Sequence, residues 1–242
     1  MIDYPKPDSV SIVEQSSHLP RFDEWAETNE GRQPLTRAHM VTSALELMDE
    51  TGLEGLTMRR LADTLGVKSA SLYWHVRDKE ELLNLMADAI CSEIRPPEGS
   101  DDWRQRLEAL AREYRRVLKT HRDAALLLAT TLPVGPYRLR LAETHLATLL
   151  DAGFTAEVTA RASLLFVDYV TNFVVEEDRA EAIAAAFQTD SDDPDAVSDW
   201  FAALPVDQYP SLVALAPLLT NPNTEARFEF GMTTLLNGLP TP

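Results

Sequence analysis

The chain has 242 residues, of which 45% are hydrophobic and 25% are charged, and its formal net charge at pH 7 is −17. This length allows a substantial core, and the acidity argues against a protein that coats DNA without regard to sequence and against an anionic membrane partner. A single cysteine excludes an internal disulfide and a cysteine-rich metal site. Because the sequence also lacks a signal peptide and a long apolar run, we expect a cytoplasmic protein with no membrane partner.

The charge is unevenly distributed along the chain. Residues 1–31 carry 2 basic and 7 acidic groups, residues 32–95 carry 8 and 10, and residues 96–242 carry 12 and 22. Within residues 57–79 the balance reverses, with 5 basic groups against 2 acidic ones. A small basic patch can approach DNA if the acidic surfaces of the same protein point away from it.

The N-terminal third divides into an arm and four helical segments. Residues 1–31 are rich in proline and acidic residues and lack helical periodicity, which predicts a flexible arm. Apolar spacing and capping residues then predict helices over residues 36–52, 57–66, 69–76 and 78–94. Ser69 is the expected N-cap of the third helix, and Asp78 that of the fourth, with Glu81 completing a capping box. The stretch "RPPEGS" at 95–100 predicts a domain boundary after residue 95.

The rest of the chain also has helical periodicity throughout. The predicted helices are 101–121, 123–131, 135–153, 155–187, a short helix after Pro210, and 224–239. The acidic stretch 188–199 predicts an exposed loop. No strand alternation is visible, so the predicted fold class is all-α.

Residues 57–76 follow the plan of a helix-turn-helix, in which a tight turn leads into a short helix that reads DNA. Gly66 permits the left-handed conformation that such a turn needs. Leu72 and Val76, four residues apart, anchor the short helix to a core. Because Tyr73 and Trp74 are adjacent, both cannot be buried as well, and at least one is exposed beside basic groups. Two core helices joined at a glycine are the alternative, and the exposed aromatic side chain favours DNA binding over it.

The stretch "LTRAHMVTSALELMDETGLEGLTMRRLADTLGVKSASLYWHVRDKEELLNLMADAI" resembles the DNA-binding domain of the TetR family of repressors, most specifically in "LYWHV" followed by "DKEELL". The segments "HRDAALLLATTLP", "LLDAGF", "FVVEED" and "FEFGMTTLLNGL" resemble the C-terminal core of the tetracycline repressor subgroup. The resemblance covers roughly residues 33–240. It implies an N-terminal three-helix helix-turn-helix domain over 32–95 and a helical ligand-binding and dimerisation domain over 96–242.

By this resemblance the protein is a ligand-responsive transcriptional regulator, a repressor that binds double-stranded operator DNA as a homodimer and is released by an inducer. The DNA-binding positions implied are Thr57, Arg59, Ser69, Ala70, Ser71, Tyr73, Trp74, His75 and Lys79. Arg59 is the strongest candidate for a base contact, because a guanidinium can grip a guanine through two hydrogen bonds. Tetracycline repressors have glutamine and proline where this chain has Ser69 and Ala70, so we expect a different operator.

The resemblance also implies a ligand cavity in the C-terminal core. Its implied positions are Leu110, Tyr114, Leu128, Thr131, Leu132, Pro133, His145, Asp168, Asn172 and Glu176. Asp168, Asn172 and Glu176 also form a polar stripe at i, i+4 and i+8 on an apolar helix. This stripe either touches a ligand or lies at an exposed edge.

Several polar anchors of the tetracycline repressors are replaced here. Those proteins bind a drug–magnesium chelate through a histidine where this chain has Leu128, and an asparagine that grips the drug is replaced by Leu110. We therefore expect a hydrophobic, aromatic inducer that needs no metal. Tetracycline itself is not expected.

Two other classes of function compete with a ligand-controlled repressor. A DNA-binding regulator could answer to a protein partner instead of a small molecule, and a core without a cavity would favour it. An enzyme acting on the cavity ligand has little support, because no phosphate loop, zinc motif or nucleophile elbow occurs. We expect no catalytic residue, no metal and no cofactor.

The homodimer is expected to form through the helix around residues 155–180 and the last helix. Phe228, Met232, Leu235 and Leu236 give the last helix an apolar face that is too extensive for a free surface.

Overall fold

The computed structural model describes residues 35–96, 99, 102–188, 196–220 and 223–240. Within these ranges the regular structure is entirely α-helical, as predicted. The helices are α1 (Arg37–Gly55), α2 (Met58–Thr64), α3 (Ser69–Leu72), α4 (Lys79–Cys91), α5 (Trp103–Leu118), α6 (Ala124–Thr130), α7 (Pro136–Asp151), α8 (Ala156–Gln188), α9 (Ala196–Ala202), α10 (Pro210–Leu219) and α11 (Thr224–Asn237). The predicted arm at 1–31 lies outside the described residues. Residues 37–242 form one compact unit, and a domain boundary after residue 95 stays a prediction.

The first four helices pack around a small apolar core. Helix α1 contacts α2 and α4, and α2 contacts α3. The regular part of α1 ends at Gly52, whose φ of 75° only glycine adopts without strain. One further helical turn follows. The fully buried side chains of this core come from all four helices, and include Met40, Met48, Leu61, Leu72 and Met86.

The ends of these helices correct two predictions. Asp78 does cap α4, because its side chain accepts a 2.8 Å hydrogen bond from the Glu81 N–H. Helix α3 is shorter than predicted and its N-cap is Lys68, not Ser69, because Lys68 has the extended conformation and Ser69 is already helical. In a capping box the Glu81 carboxylate would accept a hydrogen bond from the Asp78 N–H. Here it accepts the N–H of Arg77, one residue earlier.

Helices α5, α6, α7 and α11 all contact α8, which spans 33 residues, whereas α9 and α10 contact each other. Residues 156–183 of α8 are long and apolar enough to cross a membrane by length and composition alone. Because four helices pack against it, α8 is the core helix of this fold.

A buried ion pair joins three of these helices. Arg115 of α5 donates two hydrogen bonds, at 2.8 and 2.7 Å, to the two carboxylate oxygens of Glu177 on α8. It also pairs with Glu225 on α11, and its guanidinium lies 4.8 Å from the centre of the Phe228 ring. Burial alone would raise the pKa of Glu177, but the hydrogen bonds and charge of Arg115 outweigh it and hold that pKa below its ordinary value.

The C-terminal part differs from prediction in two places. Residues 196–199 fall in the predicted loop, yet they begin α9, whose Val197, Trp200 and Phe201 have helical spacing. The assignment of Phe228, Met232 and Leu236 to a dimer face was wrong, because all three are buried within the protomer. Leu235, the fourth residue of that predicted face, is half-buried.

Candidate functional site

The short helix α3 is anchored at its inner face and open at its outer face. Leu72 and Val76 are buried, and the turn before α3 places Gly66 at a φ of 64°. A Cβ at Gly66 would meet no atom within 4 Å, so glycine is required there for its backbone conformation and not for space. The outer face carries Tyr73, 53% exposed, and Trp74, 88% exposed. The expectation of an exposed aromatic side chain is therefore met by both residues.

Hydrogen bonds from two other helices fix the C-terminal end of α3. The Arg37 Nε of α1 donates a 2.7 Å hydrogen bond to the His75 carbonyl. Glu81 of α4 is buried and pairs with both Arg37 and Arg77. These contacts hold α3 rigidly against α1 and α4, which is what a helix that reads base edges requires.

The predicted DNA-binding residues lie in or beside α2 and α3 and at the start of α4, and none of them is fully buried. Arg59, Thr57 and Ala70 are exposed, and Ser69, Ser71, His75 and Lys79 are half-buried. Thr57 accepts the N–H of Arg60 and so caps α2. Burial, followed by the nearby charge of Arg37, lowers the pKa of His75, so its side chain is neutral at pH 7 and offers a hydrogen bond but no charge.

The adjacent arginines Arg59 and Arg60 of α2 differ in whether their guanidinium groups bond within the protein. Arg60 donates a 3.1 Å hydrogen bond to the Gly55 carbonyl. The Arg59 guanidinium makes no hydrogen bond or ion pair within the described part of the chain. It is therefore available for an external contact, and its contact with a base stays a prediction.

The predicted ligand residues fall into two groups. Four are buried in the core between α5, α6 and α7, namely Leu110, Tyr114, Leu128 and His145. Thr131 is half-buried, whereas Leu132, Pro133, Asp168, Asn172 and Glu176 are exposed. The polar stripe on α8 thus points away from the buried group, and the Asn172 amide bonds only the Asp168 carbonyl of the previous turn.

A different set of polar residues on α8 faces inward. The Ser163 hydroxyl lies 2.9 Å from His145 Nδ1, and the Thr171 hydroxyl lies 3.0 Å from the Tyr114 hydroxyl. Thr159 is also buried on this face. The sequence analysis missed all three α8 residues, although their spacing with Phe166 and Val170 matches the apolar face of the helix.

Two buried polar atoms in this group lack a partner among the described residues. They are His145 Nε2 and the Thr159 hydroxyl oxygen. Burial lowers the pKa of His145 to about 4, so the imidazole is neutral at pH 7. Since buried polar atoms are usually hydrogen-bonded, two orphans around one neutral histidine indicate where a ligand or a water would bind.

The described residues line one further pocket, of about 390 Å³, beside the end of α4 and the start of α7. None of the predicted ligand residues lines it. Its walls are Cys91, Ser92, Ile94, Arg95, Pro96, Tyr137, Arg140 and Leu141.

Comparisons with known proteins match both halves of the chain. Residues 41–86 match the sequence profile of the tetR family of bacterial regulatory proteins, and residues 95–242 match that of the tetracyclin repressor-like C-terminal domain. The tetracycline repressor protein class C of Escherichia coli is 32% identical over 208 residues, which cover 85% of this chain and 90% of that protein. An HTH-type transcriptional regulator of Saccharopolyspora erythraea is 35% identical over 207 residues, covering 85% and 84%.

Solved structures give the same result. The crystal structure of the Streptomyces coelicolor TetR family protein ActR in complex with actinorhodin has a TM-score of 0.76 and 32% identity, and covers 86% of this chain and 96% of that one.

Proposed function

The chain belongs to the tetR family of bacterial regulatory proteins, and from this premise we propose that it represses transcription as a homodimer that binds operator DNA and releases it when a small molecule occupies its core. The observation that carries this proposal is the α2–α3 unit, in which a short helix anchored by Leu72 is followed directly by two exposed aromatic side chains, Tyr73 and Trp74. Family membership supports regulation over catalysis.

DNA reading rests on the chemistry of the α3 surface. Small residues at the start of the helix, Ser69, Ala70 and Ser71, allow a close approach to base edges in the major groove. Tyr73, His75 and Lys79 offer hydrogen bonds and charge to phosphates, which position the helix without reading sequence. Arg59 supplies the group best suited to a guanine.

The homodimer is supported by apolar side chains that the protomer leaves exposed. Leu164 and Leu165 lie exposed on α8, and Phe230 lies exposed on α11. These residues replace the buried α11 face in the predicted interface. Leu164 shares the outer side of α8 with Asp168 and Asn172, so we place those polar residues near the partner protomer.

The ligand class follows from the buried polar group. Leu110 and Leu128 provide an apolar wall, while His145 Nε2 and the Thr159 hydroxyl offer two unsatisfied hydrogen-bonding atoms. A neutral histidine does not attract a carboxylate by charge, so the complementary ligand is an apolar, aromatic molecule with hydroxyl or carbonyl oxygens. ActR, whose solved complex contains actinorhodin, supports binding of a small molecule.

The proposed binding mode does not use a metal, because a leucine stands where the tetracycline repressors have a histidine. A leucine at position 128 has no atom that can bind the Mg²⁺ of a drug–magnesium chelate.

The test has two stages. The bound DNA is first selected from a random pool, and affinity for it should fall steeply with salt because phosphate contacts release counterions. A panel of aromatic polyphenols and quinones is then screened for release of that DNA. Selection of no sequence would overturn the DNA-binding function, and release by no member of the panel would favour control by a protein partner.

A further inference from the structure

A buried carboxylate connects the DNA-binding part of the fold to its core. Asp88 lies near the end of α4, the helix that follows the α2–α3 unit, and it is 4% exposed. Its Oδ1 accepts two hydrogen bonds, each 2.9 Å long, from the backbone N–H groups of Tyr137 and Arg138. These are the first free N–H groups of α7, because Pro136 has none. Asp88 therefore caps a helix that belongs to another part of the molecule.

This contact leaves no room for a side chain at the start of α7. Gly135 occupies the N-cap position with a φ of 112° and offers no side-chain cap of its own. A Cβ at Gly135 would lie 2.5 Å from Asp88 Oδ1. The backbone of α7 thus approaches α4 as closely as glycine allows, and the cap comes from Asp88 in place of a local residue.

Arg138, whose backbone N–H is bonded to Asp88, continues the connection to α6. The Arg138 guanidinium donates hydrogen bonds to the carbonyls of Leu128 and Leu132, at 3.1 and 2.7 Å, and to the Thr131 hydroxyl at 2.8 Å. A cation at the C-terminal end of α6 is favoured by the helix dipole as well as by these bonds. Leu128 and Thr131 belong to the predicted ligand site.

We propose that Asp88 is the positioning residue through which the state of the ligand site sets the angle of α4, by way of the α7 N-terminus and Arg138. The inference rests on the proposed function, since it explains how a ligand would release DNA. A displacement of the α6 end by a ligand moves Arg138, and with it the two N–H groups that Asp88 holds. Because Asp88 is fixed on α4, the two reading helices of the dimer then change their separation, which must match two half-sites on DNA.

Coupling of this kind is reciprocal, so it can be tested from the DNA side without knowing the ligand. Hydrogen–deuterium exchange is measured by mass spectrometry on the full-length dimer, with and without a saturating amount of the selected operator fragment. In the wild-type protein the operator should slow exchange in residues 57–79 by direct contact and alter exchange in residues 124–141 through Asp88.

Two variants test the two steps separately. Asp88→Ala should lose the operator-induced change throughout 124–141 while keeping the protection of 57–79. Arg138→Met keeps the bonds from Asp88 to the α7 backbone, so it should lose the change in 124–131 and retain it in 136–141. Thr155→Ala is the matched control, because it removes a helix cap, the 3.3 Å bond to the Val158 N–H, from α8 without touching α4. This control should behave as wild type.

The outcomes separate this inference from the proposed function. If the operator protects 57–79 in the wild type but leaves 124–141 unchanged, or if Asp88→Ala keeps the full response, the role of Asp88 is wrong. If the operator fails to protect 57–79, the DNA-binding assignment itself is overturned and this inference with it. Circular dichroism of each variant verifies that its helices are formed.

Discussion

Burial keeps His145 neutral, and a hydroxyl group and an aromatic ring lie against its imidazole. Its Nδ1 lies 2.9 Å from the Ser163 hydroxyl, and its ring lies against Phe166 with 5.4 Å between the ring centres. Burial lowers its pKa to about 4 from the ordinary value of 6.5. An imidazole that stays neutral can donate or accept a hydrogen bond to a ligand oxygen without attracting anions.

This pKa predicts a loss of stability in mild acid. Between pH 6.5 and pH 4 the unfolded chain protonates His145 and the folded chain does not, so the free energy of unfolding falls as the pH falls through this range. At pH 5 the contribution is about 2 kcal/mol relative to pH 7. Urea unfolding at one fixed protein concentration should show that His145→Gln loses this part of the pH dependence. An identical pH profile for both proteins would contradict the neutral state of His145.

Arg59 and Lys79 predict different effects on DNA binding. Arg59→Ala should weaken binding to the selected operator by about 1–3 kcal/mol and relax the preference at one base position. Lys79→Ala should weaken binding to all sequences equally, because a phosphate contact carries no sequence information. Fluorescence anisotropy with the operator and with single-base variants separates the two effects. Wild-type affinity in both variants would mean that the α2–α3 unit does not read DNA.

At the scale of elements, Arg115 is more buried than Arg112 and Lys119, the other cations that pair across the junction of α5, α8 and α11. Arg115 holds Glu177 on α8 and Glu225 on α11, and its guanidinium lies over an aromatic ring of α11. Removing one partner of a buried pair leaves the other charge uncompensated, which costs more than the pair contributes.

Two neighbouring arginines on α5 make this testable. Arg115→Met should lower the free energy of unfolding by about 3–5 kcal/mol, because Glu177 is buried. Arg116→Met, which loses only the exposed pair with Glu113, should lower the free energy of unfolding much less than Arg115→Met does. Chemical denaturation at equal protein concentrations gives both values. Equal effects of the two substitutions would show that the Arg115–Glu177 pair does not hold the junction.

The elements also show which features a sequence can predict. The helix-turn-helix is predictable because its signals are local: a glycine at the turn, two apolar residues four apart and two adjacent aromatic residues. The inward polar residues of α8 are harder to predict. Thr159 and Ser163 have the same i, i+4 spacing as Asp168 and Asn172, and the two pairs differ only in their register with apolar residues such as Phe166 and Val170. The role of Asp88 has no local signal, since its partners lie about 50 residues away along the chain.

At the scale of the whole molecule, the exposed apolar residues of α8 and α11 form the proposed dimer interface. Leu164→Glu should convert the dimer to a monomer at micromolar concentration, because it would place a charge in an apolar interface. Leu139→Glu, which changes a leucine of α7 that is exposed to a similar degree, should leave the dimer intact. Analytical ultracentrifugation distinguishes the two species. A dimeric Leu164→Glu protein would place the interface elsewhere.

In the proposed function, a ligand bound at His145 releases operator DNA that α3 reads. The most direct measurement is release of the selected operator by an active aromatic compound from the wild-type protein and from His145→Leu. Operator affinity should be equal in the two proteins, whereas the compound concentration needed for release should rise roughly 5- to 150-fold in the variant, the equivalent of one lost hydrogen bond to a buried group. Release at the same compound concentration from both proteins would show that His145 does not hold the ligand.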